Sequence, residues 1–453
     1  MFNSTLLKLN KIPVLLALAS VMFYIAFAYD LVRTDYTKLL LLYSALCLLF
    51  YKLVQTTKDN YKFLVATAFI FRVVFLFALP NLSQDFYRFI WDGRMILEGF
   101  NPYLYTPESF INTGKFPVAQ AQELYNGMGE LNGSHYTNYP PIKQFIFSIA
   151  ALFSANSILG SAIVFRVFII AADFGTLYFG KKLLEKFNMP VHKIFWYALN
   201  PFIIIELTGS LHFEGIMIFF LVYSLYLLHS GRWKLAAVVL ALSISVKLIP
   251  LLFLPLFFQS FKHQKKGFIK LVGFYCIVGL TTLLLFAPFY SSEFIINYSK
   301  TVALWFNDFE FNASLYYIAR AVGYSITGYN EIAIIGKFIP LIVIIATLVI
   351  TFFKTNKTIQ QLITAMLLAA SIYYFTSTTI HPWYLATLLI LSVFTNYKFP
   401  LVWSFVIILS YIAYANNDNT ENLWIVALEY LVVYTFFAWE VIAKKNQPLP
   451  TSF

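Results

Sequence analysis

Asp85, Arg88 and Asp92 stand in one polar run, "SQDFYRFIWDGRMILEGFNPY" at residues 83–103, of a chain that is otherwise mostly apolar. A carboxylate can take the proton of an attacking hydroxyl, and cations beside it tune its pKa. Arg88 and Arg94 add planar guanidinium groups suited to phosphate oxygens. Wound as a helix over about residues 84–99, at about 100° per residue, the run puts Asp85, Arg88 and Asp92 on one face. Phe86, Phe89, Ile90, Ile96 and Leu97 then form an apolar stripe, and Gly99 and Pro102 end the helix. The expectation is a helix on the bilayer surface that presents a candidate general base. Any interfacial helix also needs a polar face, so the cluster alone does not separate catalysis from solvation.

Other residues of the same kind lie far along the chain. Lys247 sits with Pro250 at the centre of the apolar stretch 233–260, which is basic at both ends. That pattern predicts two half-helices meeting at Lys247, placed to face an anionic headgroup. His212 and Glu214 fall in "SLHFEG", and His381, Trp383 and Tyr384 in "TTIHPWY". These two turns are expected at the mouth of one cavity. Three separated histidines, His135, His212 and His381, do not make a zinc spacing, so no catalytic metal is expected. Arg72, Arg166 and Asp173 lie within apolar stretches, where each needs a partner or a watery cavity. Arg166 and Asp173 are seven residues apart and are expected to pair.

The elements that must hold these groups are membrane helices. Of 453 residues, 60% are hydrophobic and 12% charged, against roughly 25% charged in soluble domains. Apolar stretches near the length needed to cross a bilayer recur throughout. The reading is an all-α, polytopic bundle of about 12–14 spans forming a single membrane domain over 1–453. The first large extracytoplasmic loop is 81–141 and the second 289–333; residues 142–156 are too short to cross and read as a re-entrant or surface helix. The net charge of +11 lies largely in short loops, at Lys52, Lys58, Lys354, Lys357 and Lys398 among others, which the positive-inside bias puts in the cytoplasm. The charge is therefore topological and implies no nucleic acid. Lys8 and Lys11 precede an uncleaved first span, and both termini are expected inside, with the polar loops and the site on the opposite face. Cys47 and Cys276 fall in spans and offer no disulfide framework.

Taken in order, the polar run, "YPP" at 139–141, "NPFIIIELTGSLHFEG" at 200–215, "VKLIPLLFLPL" at 246–256, "FNASLYY" at 311–317 and "HPWYL" at 381–385 resemble a known family. It is the bacterial GT-C glycosyltransferases of the polyprenyl-phosphate-sugar-dependent mannosyltransferase type, with a more distant likeness to the glycosylphosphatidylinositol mannosyltransferase I type. The resemblance implies a plasma-membrane enzyme that moves one hexose, mannose first, from a polyprenyl phosphate to an extracytoplasmic glycan or lipid. It also implies a first-loop carboxylate base, which matches Asp85 with Asp92 in support. The chain lacks the second acid of an Asp-x-Asp pair, so the choice between the two and any role for a divalent metal stay open. Arg88, Arg94, Lys247 and His381 are then expected around the donor phosphate. Trp91, Tyr103, His212, Glu214, Trp383 and Tyr384 are expected around the sugars. A transporter or flippase of lipid-linked saccharides, or an oligosaccharide polymerase or ligase, is the alternative.

Overall fold

A computed structural model describes residues 11–416 and 418–445; Lys8 lies outside them. The described chain is helical throughout, and its one bridge pairs Phe311 with Thr379. Seven helices are long and apolar enough to cross a bilayer: Lys11–Tyr29, Tyr36–Thr57, Ile158–Lys186, Gly267–Phe289, Ile332–Phe353, Ile359–Thr376 and Leu423–Ile442. Pro201–Gly209 and Glu214–His229 are together apolar enough for an eighth but meet at 115°, the geometry of a broken crossing or a re-entrant loop. The larger number of spans read from sequence includes shorter apolar pieces such as Trp233–Ile244, Pro382–Val393 and Phe399–Ala415. The chain is an all-α, polytopic membrane protein.

Buried charge holds the broken crossing together. Residues 204–209 wind as π-helix, and Leu211 takes φ of 62°, so several peptide groups there lack ordinary helical partners. At membrane depth such groups must be satisfied by the protein. Arg166 donates to the carbonyls of Thr208 (2.9 Å), Gly209 (3.2 Å) and Leu76 (3.0 Å). The expected Arg166–Asp173 pair does not form: Asp173 instead meets Arg72 at 2.7 Å, and Arg72 also donates to Ala198. Sequence spacing put Arg166 and Asp173 on one helix face, but each finds a nearer partner on another element.

The helix expected at 84–99 spans Asp85–Leu97, and it does not lie on a surface. Nine of its 13 residues are buried, because the helices Ala121–Ser134 and Pro141–Phe153 cover it. The second of these has 13 residues, about 20 Å of helix, and does not span. Where it crosses the Asp85–Leu97 helix, a Cβ on Gly93 would come within 2.2 Å of the Phe147 carbonyl oxygen. The stretch 233–260 is two half-helices, Trp233–Ile244 and Ile249–Leu256, with Lys247 at their junction, as expected.

The crossing at Gly93 yields a stability test. Gly93→Ala should lower stability by about 1–3 kcal/mol through overpacking, read as a lower thermal midpoint in detergent. Gly279→Ala, at a helical position with nothing within 4 Å of the added carbon, should leave the midpoint unchanged or raise it slightly.

Candidate active site

One cavity of about 860 Å³ gathers the chemistry, within the size range of ligand pockets. Asp85 opens the Asp85–Leu97 helix and lies on the cavity wall. There its carboxylate accepts from Asn132 Nδ2 at 3.2 Å and gains from the helix N-terminus. Asp92 is completely buried instead: it accepts from Arg88 Nε at 2.8 Å and Gln144 Nε2 at 3.0 Å. Arg88 spends its other contacts on the carbonyls of Asn132 and His135. It thereby fixes the turn that carries Asn132 to Asp85. The shared helix face thus divides into one carboxylate at the cavity and one in the scaffold.

Glu214, buried at the start of its helix, accepts from Lys247, whose ammonium also lies 3.9 Å over the Tyr384 ring. Lys143, from the Pro141–Phe153 helix, enters the same space 4.7 Å over the Tyr139 ring. Burial pushes the Lys143 ammonium down to about 8, against the pull of Glu214 and Asp85. At neutral pH the cavity therefore holds two cations near one paired and one less buried carboxylate.

An aromatic column forms another wall. His212 stacks on Trp383 at 3.7 Å, Trp383 on His381 at 4.6 Å and 3°, and His381 on Phe311 at 5.1 Å. Tyr414 continues it at 5.8 Å, and Arg33 covers the far ring at 4.1 Å. The Phe311–Thr379 bridge sets Phe311 beside His381, with Phe311 NH donating to the Thr378 carbonyl at 3.1 Å. Burial first, then the charges of Lys247 and His212, push the His381 imidazole down to about 3. It is neutral at physiological pH and offers hydrogen bonds or a stacking face rather than charge.

Of the residues singled out from sequence, Asp85, His212, Glu214, Lys247, His381, Trp383 and Tyr384 line the cavity. Five others, expected beside phosphate or sugar or, for Asp92, as a catalytic carboxylate, do not line it and make other contacts. Arg88 is engaged as described. Arg94 donates to the carbonyls of Ala119 and Asn156 and to Gln120. Trp91 is wholly buried against Met95, 2.9 Å from its sulfur. Tyr103 is buried with its hydroxyl on the Tyr139 carbonyl, and Asp92 is walled in as above. Sequence reasoning passed over Lys143, Glu206 and Arg33. The rule that singled out Arg166, a charge inside an apolar stretch, also finds the first two.

Beyond the polar end, the cavity runs along Leu248, Leu251, Leu252, Val343 and Ile344. Leu251 and Ile344 are exposed on the flank of the bundle. Among the described residues no group of three or more His, Cys, Asp or Glu side chains is arranged to hold a metal ion.

Comparison with known proteins adds to this geometry. A family model described as "Alpha-(1->6)-mannopyranosyltransferase, N-terminal domain" matches residues 14–261, more than half of the chain. Alpha-(1->6)-mannopyranosyltransferase A of Corynebacterium glutamicum is 22% identical over 204 residues, 45% of this chain and 40% of that protein. The protein of the same name from Mycobacterium tuberculosis is 20% identical over 228 residues, 49% of this chain and 42% of its own length. The matches thus span about two-fifths of these relatives. The family match contains Asp85, Lys143, Glu206, His212, Glu214 and Lys247, while His381 and Trp383 lie beyond it.

The Glu214–Lys247 contact yields its own test. Glu214→Gln should cost about 3 kcal/mol by leaving Lys247 without its counter-charge. Adding Lys247→Met should recover much of that loss, a non-additivity read from thermal midpoints in a double-mutant cycle.

Proposed function

Because the chain belongs to the alpha-(1->6)-mannopyranosyltransferase family, we propose that it is a membrane glycosyltransferase. It moves one mannosyl residue from a polyprenyl-phosphate donor to a hydroxyl of a glycan or glycolipid acceptor, forming an alpha-1,6 linkage. The reading rests on a single cavity in which a carboxylate, two lysines and an aromatic wall meet and which continues along apolar side chains. An amphiphile with a sugar, a phosphate and a hydrocarbon tail needs that sequence of surfaces. The site faces the extracytoplasmic side, since Lys52, Lys58, Lys354, Lys357 and Lys398 mark the opposite turns.

In this mechanism Asp85 is the base. It takes the proton of the acceptor hydroxyl as the acceptor oxygen forms its bond to the anomeric carbon. The bond from that carbon to the phosphate oxygen breaks on the opposite side, so the configuration inverts. Negative charge grows on the departing phosphate, where Lys247 and Lys143 stabilise it. Sugar rings meet the aromatic wall at the edges of Trp383 and Tyr384, whose faces are taken by His212, His381 and Lys247. Asp92 acts on the base at a distance, through Arg88 and the turn carrying Asn132. Leu251, Leu252 and Ile344 take the first isoprenoid units of the tail.

Purified protein given radiolabelled polyprenyl-phosphate mannose and a membrane extract should transfer label. Asp85→Asn should reduce transfer by about 10²-fold or more while leaving the thermal midpoint near wild type. Absence of transfer from mannose, glucose and arabinose donors alike would defeat the enzyme reading. An Asp85→Asn protein with full activity would defeat only the choice of base.

A further inference from the structure

The cavity wall reaches the protein surface in two places of different character. Leu251 and Ile344, exposed on the flank of the bundle, border the part assigned above to the donor's tail. Elsewhere the wall is made by Arg33, Gln84, Leu131, Asn138 and Asn419, of which Gln84, Leu131 and Asn419 are exposed. Arg33, Gln84, Asn138 and Asn419 come from four different loops between helices. Two of these loops also expose Asp30, Asp35, Asn416 and Asp418. Carboxylates and amides of that kind belong in water, so this mouth opens to the aqueous phase while the flank meets hydrocarbon. The mouth is also held in shape. In the loop that carries Asn419, Glu421 accepts from the Asn312 NH at 2.6 Å and from the Tyr317 hydroxyl, and Asn416 Oδ1 accepts from the Thr420 NH at 2.9 Å.

The groups at this mouth suit uncharged hydroxyls. A planar amide donates and accepts, as a sugar hydroxyl does. The side chains of Asn138 and Asn419 make no hydrogen bond to any described residue, and both line the cavity. Gln84 gives one donor to the Met128 carbonyl at 3.0 Å, and Asn132 gives one to Asp85 at 3.2 Å; the carbonyl oxygen of each amide remains. Charge at this end does not favour an anion. Arg33 is engaged by the Leu82 carbonyl at 3.3 Å and by the Tyr414 ring at 4.1 Å. The lining carboxylates are Asp85 and Glu310, the latter bound by Arg320, Tyr316 and Asn330.

The order of groups along the cavity gives the mouth its role. The aromatic column begins at His212, beside Trp383, and ends at Tyr414 under Arg33. Asp85 stands between these ends: its charge reaches Lys143 and Tyr384 on one side and Tyr414 on the other. An inverting displacement needs the attacking oxygen and the departing phosphate on opposite sides of the anomeric carbon. Lys247, Lys143 and the apolar flank take the phosphate side, which leaves the amide mouth for the attacking hydroxyl. We propose that this mouth is the acceptor subsite, where the end of an uncharged hexose chain enters from water, is held by the amides of Asn138 and Asn419, and presents its hydroxyl to Asp85. This inference rests on the transferase reading for the reaction it serves. On this account the acceptor is recognised by its sugars, and a lipid anchor at its far end adds nothing to binding.

The test reads binding and turnover separately, on full-length protein in detergent. The probe is the methyl glycoside of an alpha-1,6-linked mannose disaccharide, which carries no lipid. Saturation-transfer NMR should show it bound to wild type, and Asn138→Ala with Asn419→Gly should remove most of the signal at an unchanged thermal midpoint. Glycine suits position 419, where φ is 50°, and each single variant should give part of the loss. With the same disaccharide as acceptor, the double variant should raise the acceptor KM by about tenfold, the worth of one or two hydrogen bonds. The KM for polyprenyl-phosphate mannose should stay within about twofold of wild type. Ile344→Trp, on the apolar flank, should do the reverse. A folded double variant that binds the disaccharide as wild type does, or that raises the donor KM instead, overturns the proposal. So does a disaccharide that neither binds nor accepts while its long-chain alkyl glycoside does both. Wild type that transfers no mannose, yet whose disaccharide signal is lost in the double variant, counts against the transferase reading and supports the glycan subsite.

Discussion

The Arg166 guanidinium, bound to the carbonyls of Thr208 and Gly209 inside the bundle, is the contact on which the rest of the site depends. A helix broken in an apolar medium frees backbone groups that lipid cannot satisfy. Here a cation from the neighbouring Ile158–Lys186 helix takes them up, so the chain can turn through 115° without an unsolvated gap. The break puts three groups near one place. Glu206 ends up behind His212, His212 faces the cavity, and Glu214 begins the next helix with its carboxylate toward Lys247. An unbroken helix would have carried these side chains around its axis in different directions.

The other elements close around that turn. The junction of the half-helices brings in Lys247, and the short Pro141–Phe153 helix brings Lys143. The same short helix holds the Asp85–Leu97 helix at the Gly93 crossing, so Asp85 and Lys143 are positioned by one packing contact. From the far side, the Phe311–Thr379 bridge and the turn at His381 supply the column whose Trp383 ring stacks on His212. The arrangement separates roles by burial. Asp92, Arg88 and Arg94, engaged with neighbouring elements, form the scaffold, and Asp85, Glu214, Lys247 and Lys143 stand at the wall.

Much of this was legible in the sequence, for a physical reason. Charge is expensive in an apolar segment, so the polar run at 83–103, Lys247 between half-helices and the turns at 212 and 381 stand out without any coordinates. Helical periodicity put Asp85 and Asp92 on one face. It could not separate them, because the difference is made by Gln144, 52 residues further on from Asp92. It also placed the helix on a surface, since an amphipathic pattern looks the same whether its polar face meets water or, as here, the partners of Arg88 and Asp92. Arg166 and Asp173 failed as a pair for a related reason: spacing along one helix says nothing of Arg72 on another. Glu206, a charge inside the apolar run "FIIIELTG", answers to the same rule as Lys247. The aromatic column joins residues 212, 311, 381, 383 and 414, and only the assembled bundle brings them together.

The central claim is that the space organised by this broken helix receives a lipid-linked sugar, head toward the aromatic wall and tail along the apolar flank. A polyprenyl-phosphate mannose carrying a diazirine on its first isoprenoid unit, photolysed with the purified protein and mapped by mass spectrometry, tests it directly. The account predicts label on the segments 248–252 and 340–344, competed away by unlabelled donor. Label that resists competition, or that falls on faces of the bundle remote from the cavity such as the Lys11–Tyr29 helix, would contradict it.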